Sequence, residues 1–130
     1  MSLPITALVA VALGLQSIYL STRVSLLRGK LGVALGDGNH PALLERMRQH
    51  GNLMEAAPLA LILLGLAEGQ GVATGWIYAA AAILLAARLI HPFGVRHDQP
   101  GNRLRIIGAL GTTISMLIAA LGILWIAMGM

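Results

Sequence analysis

The chain has 130 residues, enough for one domain, and 57% of them are hydrophobic while only 11% are charged; a soluble domain carries about 25% charged residues. A mean hydropathy of +0.80 and long apolar runs at 3–20, 53–66, 73–87 and 106–128 place it in a membrane. The net charge of +4 is no nucleic-acid signal, because the basic residues sit in loops and at helix ends. The absence of cysteine excludes disulfides, thiolate metal sites and a cysteine nucleophile, and the histidines lack metal-ligand spacing, so no metal is expected.

The first apolar run predicts a helix over about 4–27. No basic residue precedes it, so it reads as a retained helix rather than a cleaved leader. It ends in Arg23, Arg28 and Lys30. These arginines either snorkel to the headgroups, or Arg28 points back into a polar site. Gly36, Asp37, Gly38 and Asn39 are turn chemistry, without the spacing or lysine of a phosphate loop. Pro41 suits the first turn of a second helix over about 42–67, with Asn39 or His40 as its cap. A third helix covers about 74–93, and its alanines permit close helix approach. Near its end Arg88 and His91 share a face, and Pro92 disturbs the helix. The fourth helix opens at Arg103 and Arg105 and covers about 103–127. Gly111, Ser115 and Ala119 form a small-residue seam on it. The expected fold is therefore all-α, a single four-helix transmembrane bundle over residues 1–130.

Loop charge sets the expected orientation. The first and third loops with their flanks hold the lysine and arginines, and the second has none between Leu66 and Trp76. Both termini then face away from the cytoplasm.

The polar groups converge at the cytoplasmic ends of the helices. In the second helix Glu45, Arg48, Asn52 and Glu55 lie at i, i+3, i+7 and i+10, on one face, with Gln49 in the same stripe. Arg46 and His50 point elsewhere. Glu55 is flanked by apolar residues, where a carboxylate is costly unless paired. The bland reading is an ion pair that sets helix register. The functional reading is a site for an anionic ligand with carboxylates and amides, since the arginines outnumber what one glutamate needs. Thin helices leave little room inside a four-helix bundle. With small-residue seams on two helices, an oligomer with its site between subunits is expected.

The stretch Arg48-Gln49-His50-Gly51-Asn52-Leu53-Met54-Glu55, followed by Pro58, resembles the signature of the MAPEG family, the membrane-associated proteins in eicosanoid and glutathione metabolism. Arg88-Leu89-Ile90-His91 on the third helix and the charged first loop also have family counterparts, and the bacterial branch is nearest in style. The resemblance implies a homotrimer in the bacterial inner membrane, with glutathione as co-substrate bound between subunits toward the cytoplasm. Carried over, Arg48, Asn52 and Glu55 would hold glutathione's amino and carboxylate groups, and Arg88 and His91 would line the same site. Arg28 would add a carboxylate contact. Arg105, with Arg103 as alternative, would stabilise the thiolate for attack on a lipophilic electrophile, in conjugation or peroxide reduction. Departures stand at Gly51, at Val95 and at Ile106-Ile107, where relatives carry an arginine, a tyrosine or a hydroxyl. These bear on catalysis more than on binding. Two other readings compete. One is a proton-coupled exporter with Glu55 as its proton site; the other is a non-catalytic trimer.

Overall fold

The computed structural model describes residues 2–129, and among them every regular element is a helix. The order is α1 (Pro4–Leu31), α2 (Pro41–Gly69), α3 (Thr74–Gly94) and α4 (Arg103–Ala127). Each is long and apolar enough to cross a membrane. Even the shortest, α3 with 21 residues, rises about 31 Å, the thickness of a hydrocarbon core.

The helix ends follow local chemistry. α1 continues through Arg28 and Lys30 to Leu31, one turn beyond the expected end. It stops at Gly32, whose φ of +66° lets the chain leave in the left-handed conformation, and Val33 N–H donates to the Arg28 carbonyl at 3.1 Å. Pro41 opens α2 after His40, whose side chain makes no capping bond. Asn102 caps α4 by accepting from Leu104 N–H at 2.9 Å.

The start of α1 has no local cap. Glu68, near the far end of α2, supplies one instead. Its carboxylate accepts from Ile5 N–H at 3.0 Å, Thr6 N–H at 2.8 Å and the Thr6 hydroxyl at 2.6 Å. A carboxylate at a helix N-terminus satisfies orphan donors and meets the positive end of the dipole. Glu68→Ala should therefore destabilise the fold by about 1–2 kcal/mol, read as a lower midpoint in denaturant titration of the micellar protein. An unchanged midpoint would show that the cap contributes nothing.

The core is built from stripes. On α2, Leu53, Ala57, Ala60, Leu64 and Ala67 are buried at alternating spacings of four and three. They pack against Val9, Leu13 and Leu20 of α1 and Ile77, Ala80, Ala81 and Leu84 of α3. α1 and α4 do not touch among the described residues, while α3 and α4 form the tightest pair. Glycine makes that pair possible. A Cβ at Gly108 would lie 2.7 Å from His91 Cβ and 2.9 Å from the Ala87 carbonyl oxygen. At Gly111 it would lie 2.8 Å from Ala87 Cβ. Ser115 Oγ donates to the Ala80 carbonyl at 2.7 Å. The small-residue seam of α4 is thus spent inside the subunit, which removes it as an argument for oligomerisation.

Candidate functional site

The α2 helix turns Arg48, Asn52 and Glu55 to one side, as their i, i+4 and i+7 spacing requires. Arg48 Nη1 donates to Glu55 Oε1 at 3.2 Å, and Nη2 donates to Asn52 Oδ1 at 3.1 Å and Glu55 Oε2 at 3.5 Å. The guanidinium lies across Gly51. A Cβ there would sit 3.7 Å from Arg48 Nη1 and 3.8 Å from Glu55 Oε1, ordinary contact distances.

Arg105 joins this face from α4. With Glu45, Arg48 and Asn52 it lines a cavity of about 220 Å³, closed by Val95, Arg96, His97 and Pro100 of the α3–α4 loop. Both arginines are exposed in the single chain, but Arg103 is outside that lining. The register of Arg105 is set by Gly94, which packs directly on the Arg105 backbone.

Glu45 and Gln49 leave the ladder for other partners. Glu45 Oε2 accepts from His97 N–H at 3.1 Å and lies 3.0 Å from His97 Nδ1. Gln49 is buried; its amide N–H donates to the Val95 carbonyl at 3.1 Å. Together they fasten the α3–α4 loop over the site. In that loop the hydrogen bond from Arg96 holds the Asp98 carboxyl below its usual range. Glu45, His97 and Asp98 bring ligand-type atoms within 4.8 Å of one another, a grouping without sequence spacing to announce it. The hydrogen bonds to His97 and Arg96 already occupy it.

Three expected site residues go elsewhere. Arg28 donates to the Gly36 carbonyl at 2.7 Å and the Ala34 carbonyl at 3.4 Å, folding the first loop against α1. Arg88 is 3% exposed and lies inside the subunit. It donates to the Gly108 carbonyl at 2.8 Å and the Asn52 carbonyl at 3.4 Å, so it ties α4 to the backbone of the site helix. Its Nε–H has no partner among the described residues. His91 is buried beside Gly108. A sequence signal for this existed: Ile77, Ala80, Leu84, Arg88 and His91 continue one stripe of α3 at spacings of three and four. Arg46 and His50, off the ladder, face α1 through the Arg23 carbonyl at 3.0 Å and Ser17 Oγ at 3.4 Å.

In a single chain the Arg48–Glu55 pair is exposed, with side-chain accessibilities of 52% and 61%. Glu55 is at the midpoint of α2, with Met54, Leu59 and Ile62 exposed around it. A carboxylate this far into an apolar helix is costly against lipid, and a covering protein surface or water relieves it.

These features define a class: a four-helix integral membrane protein with a cationic, amide-bearing cavity at the end of its second and fourth helices. A model of the MAPEG family matches residues 6–125, and the chain belongs to that family. It is 35% identical over 121 residues to the inner membrane protein YecN of Escherichia coli strain K12, an alignment covering 93% of this chain and 91% of that one. The YecN of Escherichia coli O6:H1 matches to the same extent. No solved structure matches the chain.

Proposed function

We propose that the chain is a glutathione-dependent enzyme of the inner membrane that activates the thiol for reaction with lipophilic electrophiles or peroxides. The observation that carries this is the meeting of Arg48, Asn52 and Arg105, from two helices, in one cavity. Arg48 and Asn52 offer donors to a carboxylate, and Glu55 offers acceptors to an ammonium group, the complement of a γ-glutamyl end. Arg105 places a permanent cation where a thiolate would sit. Family membership and the inner-membrane relative support this setting.

The exposed Arg48–Glu55 pair supports a homotrimer. A neighbouring subunit laid over it removes a mid-helix carboxylate from lipid and closes the open side of the cavity. Arg88 and His91 then act from behind, positioning α2 against α4 rather than touching the ligand. Both termini face away from the cytoplasm and the cavity toward it, since the flanks of the first and third loops carry the basic residues.

Titration of the purified protein with glutathione, followed by thiolate absorbance, tests the proposal. A saturable thiolate signal is expected at neutral pH. Binding without thiolate would favour the non-catalytic trimer, and neither binding nor signal would overturn the reading.

A further inference from the structure

A second polar cavity, of about 460 Å³, opens on the other side of α2, between α1 and α3. It backs onto the thiol cavity across Glu45 and Arg96, which line both. Its charged wall is Arg23 and Arg96, and its aromatic and aliphatic rim is Tyr19, Leu89 and Phe93. Phe93 is 72% exposed and Tyr19 61%. In the single chain the cavity therefore opens outward through an aromatic and aliphatic rim.

Arg23 is underused. Its guanidinium stands 5.6 Å from the centroid of the Tyr19 ring, and its one hydrogen bond among the described residues is a 3.4 Å contact with Gln49 Oε1. Most of its N–H groups remain available. Arg96 gives Nε and Nη2 to Asp98, and Glu45 is committed to His97. About two turns along α1 from Arg23, Gln16 donates to the Arg88 carbonyl at 2.7 Å, and its buried Oε1 has no donor among the described residues.

Further along the same two helices lies another cavity, of about 700 Å³, lined by Leu8, Val9, Ile77, Ala81, Ala82 and Leu85, with Glu68 and Thr74 at its far end. Leu85 of this cavity and Leu89 of the first are one turn apart on α3. The alanines leave a shallow apolar floor.

We infer that the α1–α3 furrow is a binding site for an anionic phospholipid of the surrounding bilayer, its phosphate on Arg23 and its acyl chain along the alanine floor of α3. Charge complementarity selects this occupant. An apolar transmembrane helix would fill the floor but would leave the Arg23 guanidinium unmatched in a low-dielectric setting. A phosphodiester matches the guanidinium, and the chain fills the apolar floor. Arg23 itself is not part of the thiol cavity, although the two cavities share Glu45 and Arg96 as a wall.

Native mass spectrometry of the protein, equilibrated with equal amounts of phosphatidylglycerol and phosphatidylcholine of matched chains, tests this. The wild type should retain phosphatidylglycerol selectively. Arg23→Gln should reduce that selectivity about fivefold, the share of one arginine at a lipid surface. Ala82→Trp, which fills the exposed floor without changing charge, should reduce retention of the lipid. Arg48→Gln should leave retention unchanged, which separates this site from the thiol cavity. Equal retention of both lipids by the wild type, or full selectivity in a folded Arg23→Gln protein, overturns the proposal. So does competition by glycerol phosphate as effective as the lipid itself, because the furrow would then play no part.

Discussion

Arg105→Ala should keep glutathione binding within a few-fold of wild type while turnover at neutral pH falls about ten- to a hundredfold. A free thiol titrates near about 8.5 and reacts as the thiolate. A permanent cation beside it in a partly desolvated cavity lowers that value by about one to two units, each worth about 1.4 kcal/mol. The sign follows directly. The cation favours the charged form, so the wild type holds thiolate to lower pH. Without Arg105 the acid limb of the rate profile moves up by about one to two units, and activity recovers in alkali. Arg48→Ala should do the reverse. Arg48 fastens Asn52 and Glu55 at 3.1–3.5 Å, so its loss should raise the glutathione KM with little effect on the profile. Arg103→Ala should resemble wild type, because Arg103 is outside the cavity lining. If Arg105→Ala and Arg103→Ala lose turnover equally, with thiolate formation intact in both, this division of roles is wrong.

Gly94→Ala should be among the most damaging small substitutions in the chain. The added Cβ would meet the Arg105 backbone nitrogen, and would lie 2.7 Å from Arg105 Cα and from the Leu104 carbonyl carbon. All three are backbone atoms, so no side chain can swing aside. The start of α4 must move off the end of α3, carrying Arg105 with it. Overpacking of this kind costs about 3 kcal/mol, and the displaced cation should cost the thiolate signal as well. Gly51→Ala is the control with the opposite sign. The nearest atoms to its Cβ are 3.7 and 3.8 Å away, and alanine is favoured over glycine in a helix by about 1 kcal/mol. Unfolding of the two variants in mixed micelles, with thiolate absorbance alongside, reads both effects. Equal stability of Gly94→Ala and wild type would mean that α3 and α4 are not locked at this point.

Much of this protein was determined by sequence alone, for a local reason. The length of an apolar run decides whether a helix spans, and Pro41 marks the start of α2 without reference to the rest of the chain. The grouping of Arg48, Asn52 and Glu55 was legible for the same reason, since one helix carries all three and its pitch is constant. What the tertiary structure decided were the residues whose roles depend on a second helix. Arg28 and Arg88 were expected beside Arg48. Yet Arg28 serves the carbonyls of its own following loop, and Arg88 lies between α2 and α4, because the glycines of α4 bring its backbone within reach. Glu68 gave no local sign of its task, since the helix it caps begins more than sixty residues away. Of the two arginines that open α4, Arg105 rather than Arg103 lines the cavity with Arg48, because the contact at Gly94 fixes how α4 docks. Hydrophobic length and helical period are properties of a segment. The phase and separation of two packed helices depend on the side chains between them, and only the assembled bundle determines those.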